Sequence, residues 1–166
     1  MRDDIPLSHT EDAQLLESAG FVSLLTIQLV APPASGLILH FSATQEVTWQ
    51  SMTFESVPFS LTGMGSNASG EVTRPKLSLP NAEGAFSSYA HDGWLNNAIV
   101  IRRLIRKADL DGDVNSFSQK KWRLAKVVSL TKRMINVELR GVFDGHNFKL
   151  PPRAYYPPEF PHVSIG

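Results

Sequence analysis

The chain has 166 residues, 42% of them hydrophobic and 19% charged, with 16 basic and 16 acidic side chains. That length fits one domain able to bury a sizeable core, and the composition excludes a disordered chain. With no cysteine, disulfide frameworks, thiol catalysis, thiolate zinc sites and iron–sulfur clusters have no ligands in these residues.

The N-terminal segment Met1-Arg2-Asp3-Asp4-Ile5-Pro6 does not read as a signal peptide. Ser8-His9-Thr10-Glu11 has the form of a capping box, and Ala13, Leu15, Leu16 and Ala19 give a narrow apolar stripe that Gly20 ends. Residues 1–20 therefore read as a short helical arm laid on a surface. From Phe21 the period changes to that of strands: residues 21–30, then, after the turn Ala31-Pro32-Pro33-Ala34-Ser35-Gly36, residues 37–41. Residues 46–49 and 53–55 form a hairpin by spacing, and residues 58–61 begin a further extended piece. The stretch from Gly63 to Gly70 holds no large aliphatic residue except Met64 and cannot pack a core. Residues 71–79 alternate, with Val72, Leu77 and Leu79 inward and Pro75 marking an edge or bulge.

Asn81 is placed to cap a short helix in which Phe86, Tyr89, Ala90 and Trp94 recur at helical spacing, weakened by Gly84 and Gly93. Strands follow over residues 99–105, 121–130 and 134–142, the last two joined by Thr131-Lys132-Arg133. Residues 151–166 form an extended tail with Pro151, Pro152, Pro157, Pro158 and Pro161 among Tyr155, Tyr156 and Phe160. The expected fold is mainly β, a barrel or sandwich of about eight strands with one or two short helices, the domain spanning residues 21–150. No apolar run approaches the ~20 residues that span a bilayer, so no membrane partner is expected.

Catalytic patterns are missing. Asp109-Leu110-Asp111-Gly112-Asp113 starts like a calcium loop, but the glycine and glutamate that such a loop needs are replaced by Val114 and Lys120. It reads as a solvated acidic turn between strands. His9, His40, His91, His146 and His162 are scattered without metal-ligand spacing. There is neither a nucleophile elbow nor a phosphate-cradling loop. No metal, cofactor or catalytic residue is expected, and a small cell-wall hydrolase is the least favoured function.

Charge is divided along the chain. Residues 1–100 carry three basic side chains against ten acidic, a net of −7, and residues 101–166 carry thirteen against six, a net of +7. Arg102, Arg103, Arg106, Lys107, Lys120, Lys121, Arg123, Lys126, Lys132 and Arg133 sit on or beside strands, with Trp122 and Phe117 between them. The cluster fits a subunit contact, in which arginine is a preferred residue, or neutralisation within one sheet. It also allows an oligonucleotide-binding barrel that uses Arg102, Arg103, Arg123 and Trp122.

Val47-Thr48-Trp49-Gln50, Phe54, Pro58-Phe59, the glycine-rich loop and Thr73-Arg74-Pro75-x-Leu77-x-Leu79-x-Asn81 follow one another, and Val100-Ile101-Arg102-Arg103 opens a later strand. This order resembles the N-terminal domain of the minor tail protein L family of lambda-like siphophages, over roughly residues 3–160. The resemblance implies a tail-tube-like β-barrel with a flanking helix, in a protein of the tail tip or baseplate hub. It implies a ring, trimeric or hexameric, between the tail tube and the central host-recognition protein, with a channel for DNA. Longer members add a cysteine-rich extension that binds an iron–sulfur cluster; without cysteine that cofactor is not expected here. Expected interface residues are Trp49, Arg74, Arg102, Arg103, Arg123, Tyr155, Tyr156 and Phe160. The three tail aromatics would anchor on a neighbour or strap their own barrel.

Overall fold

The computed structural model describes residues 20–32, 34–64 and 74–142. The expected N-terminal helix, most of the glycine-rich loop, Val72 and the Pro/Tyr tail lie outside these residues. Nine strands occur in chain order: β1 (Phe21–Gln28), β2 (Ile38–Ser42), β3 (Val47–Trp49), β4 (Met52–Ser56), β5 (Ser60–Thr62), β6 (Lys76–Pro80), β7 (Ile99–Arg106), β8 (Ser118–Leu130) and β9 (Met134–Gly141). Between β6 and β7 come a 3-10 turn (Ala82–Gly84) and helix α1 (Ser87–His91), and helix α2 (Lys107–Asp111) follows β7.

The strands make one sheet in the order β3-β4-β2-β1-β7-β8-β9-β6-β5. Every neighbouring pair is antiparallel except β2 and β4, which run parallel. β1 is buried on both faces from Leu24 to Ile27, which fits the adjacent Leu24 and Leu25 that break a strict apolar–polar alternation.

Alternation elsewhere defines two faces. On the inner face, Leu25 and Ile27 of β1, Phe41 of β2, Val100 of β7, Trp122 and Leu124 of β8 and the buried residues of β9 and β6 share one core. β2 and β6 stand five places apart in the sheet, so a shared core requires the sheet to curl over itself. Phe41 closes the curl by packing edge-on against Phe86, ring centroids 5.9 Å apart, in the segment that follows β6. The barrel-or-sandwich expectation thus resolves to one curled sheet that stays open between its edge strands β3 and β5. On the outer face a second core joins Leu24, Val47, Trp49, Phe54, Ile105 and Leu110, because the β3–β4 hairpin and α2 cover β1 and β7 there.

Two local predictions are corrected. Asn81 is not a simple helix cap but a fully buried polar hub. Its Oδ1 accepts the Phe86 amide at 2.8 Å, and its Nδ2 donates to the Thr131 carbonyl at 2.7 Å and to Ser87 Oγ at 3.1 Å. It thereby ties the helical crossover to the β8–β9 turn. The acidic segment is not a solvated turn either: it contains α2, and Asp109 is buried in a bidentate pair with Arg106, at 2.8 and 2.9 Å.

Asp113 completes this segment by holding the tip of the β3–β4 hairpin. The two-residue turn places Gln50 (φ 51°) and Ser51 (φ 61°) in the left-handed region, the geometry of a hairpin turn that ordinarily selects Asn or Gly. The Gln50 amide donates to Asp113 Oδ1 at 2.7 Å and its side-chain Nε2 to the Asp113 carbonyl at 2.8 Å. Those bonds offset the strain of two non-glycine residues at positive φ.

Candidate functional site

Neighbouring residues on a strand point to opposite faces, and this separates the basic cluster into distinct environments. Arg102 follows Val100 onto the inner face, at the mouth of the curl. Its Nε donates to Ser23 Oγ at 2.9 Å and its Nη1 approaches Met64 Sδ at 3.3 Å. Arg103 points outward, beneath the cover of the hairpin. Its Nη1 donates to Thr26 Oγ1 at 2.9 Å, and its guanidinium carbon lies 5.7 Å from the centre of the Phe117 ring. Burial draws the Arg103 guanidinium below its ordinary value. Burial first, and then the Arg103 charge, lowers the neighbouring His40, which packs edge-on against Phe54.

Arg123 belongs to a third environment, the outer face of β8 and β9, which the hairpin and α2 do not cover. Trp122 and Leu124 point inward, so Arg123 points outward, directly opposite Arg140 in the antiparallel register. Arg140 donates to Asn97 Oδ1. Farther along the same face Glu138 takes a hydrogen-bonded ion pair from Arg74 at 3.0 Å and another cation, Lys126, at 3.5 Å. The Arg74 bond, aided by Lys126, holds the Glu138 carboxyl below its ordinary value.

Neither expected tryptophan is presented to a partner. Trp49 is 2% exposed in the second core, edge-on to Phe117, with its indole N–H 3.3 Å from the Val114 carbonyl. Trp122 is 8% exposed in the first core, which removes the aromatic that the sequence reading offered for stacking a base. Arg74, Arg102, Arg103 and Arg123 remain on or near the surface but do not converge: two faces of the sheet and the cover of the hairpin keep them apart. Tyr155, Tyr156 and Phe160 lie outside the described residues. Arg140 was missed because its partner was legible only through strand register, and Asn81 and Asp113 because their partners lie far along the chain.

Among the described residues no group of three or more His, Asp or Glu side chains could hold a metal ion, and no helix is long and apolar enough to cross a membrane.

A family profile described as phage minor tail protein L matches residues 38–156, from the start of β2 to beyond β9. No curated protein sequence matches the chain. Among solved structures, a chain of the virion of a native gene transfer agent (GTA) particle is similar in fold, with a TM-score of 0.58 at 17% identity. The match covers 92% of this chain and 50% of that one, so this chain spans about half the length of its structural neighbour.

Proposed function

The chain belongs to the phage minor tail protein L family, whose members are structural proteins of the bacteriophage tail, and from that premise we propose that it acts by assembly, as a ring at the tail tip. The ring joins the tail tube above to the central host-recognition protein below and leaves a channel through which DNA passes. Its symmetry is threefold or sixfold, and the chain performs no catalysis of its own. The observation that carries this reading is the family match, which takes in eight of the nine strands. The fold likeness to a chain of a GTA virion supports it. Residues 1–20 and 151–166 would serve as arms that contact neighbouring subunits.

The test is the solution mass of the purified chain by light scattering, together with immunogold labelling of phage tails. A species of three or six copies and label confined to the tail tip are the expected results. Label absent from purified virions would overturn the reading. An oligonucleotide-binding barrel is disfavoured by the burial of Trp122, since single-strand binding relies on exposed aromatic platforms.

A further inference from the structure

The sheet carries one cross-strand pair of like charge, Arg123 with Arg140, and two exposed carboxylates, Glu46 and Glu55, at the end of the β3–β4 hairpin, with three strands between the two places. Arg123 and Arg140 face each other across β8 and β9. On the β3–β4 hairpin, Thr48 pairs with Thr53 on the exposed side while Val47 and Phe54 point into the second core. Glu46 immediately precedes Val47 and Glu55 immediately follows Phe54, so two exposed carboxylates stand at the open end of the hairpin. Like charges directly opposite each other in a sheet are unfavourable. Neither pair is relieved within the described part of the chain: no ion pair is formed by Glu46, Glu55, Arg123 or Arg140. Glu138, the carboxylate nearest to the arginines along β9, is already taken by Arg74 and Lys126.

We propose that these pairs meet between copies: the Glu46/Glu55 face of one subunit docks on the Arg123/Arg140 face of the next. The contact is head-to-tail, since the two surfaces differ, and repetition of such a contact closes a ring when the rotation permits. The arginine pair that is unfavourable inside one subunit becomes favourable at the joint, where opposite charges also set register and suppress wrong pairings. The split of net charge along the sequence, −7 before residue 101 and +7 after it, is then the trace of two complementary faces. The inference rests on the ring reading and adds to it which surfaces touch.

The test uses the full chain in sedimentation velocity at low salt. Glu46→Lys with Glu55→Lys, and separately Arg123→Glu with Arg140→Glu, should each weaken association more than about tenfold, and the fourfold charge swap should restore it. Glu55→Lys alone supplies a control that a merely structural role would not satisfy. It places a lysine at the end of the hairpin that carries Glu46, so the melting temperature holds or rises while association falls. A multimer that survives both double reversals, or a fourfold swap that does not recover, overturns the face assignment and leaves the ring standing. If the free chain is monomeric, both double reversals entering tails at the wild-type level overturns the assignment as well. A wild-type chain absent from both multimers and tail tips sinks the ring reading, and the faces with it. If Arg123→Glu with Arg140→Glu abolishes binding of a fluorescent oligonucleotide while the multimer persists, the arginine pair serves nucleic acid and the proposal fails.

Discussion

The outer face of the sheet exists in two versions. Over β1 and β7 it is roofed by the β3–β4 hairpin and α2, and its polar groups are drawn into bonds: Arg103 with Thr26, Asp109 with Arg106. Over β8, β9 and β6 no described residue forms such a roof, and the charges there pair at the surface or stand opposite their own kind. The strands beneath are antiparallel neighbours in the same sheet. The difference lies in what covers them: under the roof a residue contributes to stability, and outside it a residue is free to be read by a neighbour.

The largest test of this contrast compares Trp49 with Arg123. Trp49→Ala removes the centre of the second core and should cost about 3–5 kcal/mol in urea denaturation, the usual toll of deleting a buried aromatic. Arg123→Ala, measured at high salt to screen charge contacts between copies, should change stability by no more than about 0.5 kcal/mol. Equal losses at the two positions would erase the distinction between roofed and open face.

Next in size is Asn81, the hub that ties the helical crossover to the β8–β9 turn. Asn81→Ala leaves the Phe86 amide and the Thr131 carbonyl without their buried partner, at a cost of about 1–3 kcal/mol for each orphaned group that water does not reach. A loss below about 1 kcal/mol would mean that the turn relaxes freely and that this end of the sheet is not fixed by Asn81.

At the roof, Ser51→Gly should stabilise by about 1 kcal/mol, since glycine adopts positive φ without steric cost. Asp113→Ala should destabilise by about 1 kcal/mol by freeing the strained tip. The two changes share the turn and should not add; once Ser51→Gly has relieved the turn, the loss at Asp113 should shrink. An unchanged loss would show that Asp113 does not act by offsetting strain.

How much of this was legible in the sequence depended on the range of the signal. Strand and turn positions followed from alternation and from Pro32-Pro33, Asn81 and Thr131-Lys132-Arg133, all local cues. β8 was placed within three residues at its start and at its observed end. Its bulges between Leu124 and Lys126 and between Val127 and Ser129 were invisible, and around and beyond them the apolar Val128 and Leu130 stand exposed, at 51% and 40%. The open curl was not legible either, because whether a sheet closes depends on how its two ends meet. The same limit applied to the candidate surface. Arginine and tryptophan were chosen by residue type, but Trp49 and Trp122 were taken by the two cores. Arg102 and Arg103 were divided by the strand's own parity. Only register across strands could have set Arg123 against Arg140.

The smallest effects are those of pH, and they separate the two versions of the face once more. His40, near the roof, has its pKa lowered by burial and by Arg103, so the fold favours the neutral ring. Its stabilising contribution is complete above the ordinary histidine value of about 6.5 and is lost as pH falls through that value towards the lowered one. Glu138, on the open face, has its pKa lowered by Arg74 and Lys126, so the fold favours the carboxylate. Its contribution is complete above the ordinary carboxylate value of about 4.3 and declines as pH falls towards the lowered value. Thermal melts between neutral pH and pH 3 should therefore lose stability in two steps. His40→Gln should remove the upper step and Glu138→Gln the lower. Added salt should flatten the lower step, because Arg74 and Lys126 are 59% and 64% exposed and their attraction is screened within a Debye length of about 8 Å at physiological ionic strength. The upper step should resist salt, since its principal cause is burial rather than a charge across solvent. If both steps respond alike to salt, His40 is as accessible to solvent as Glu138, and the hairpin does not shield it.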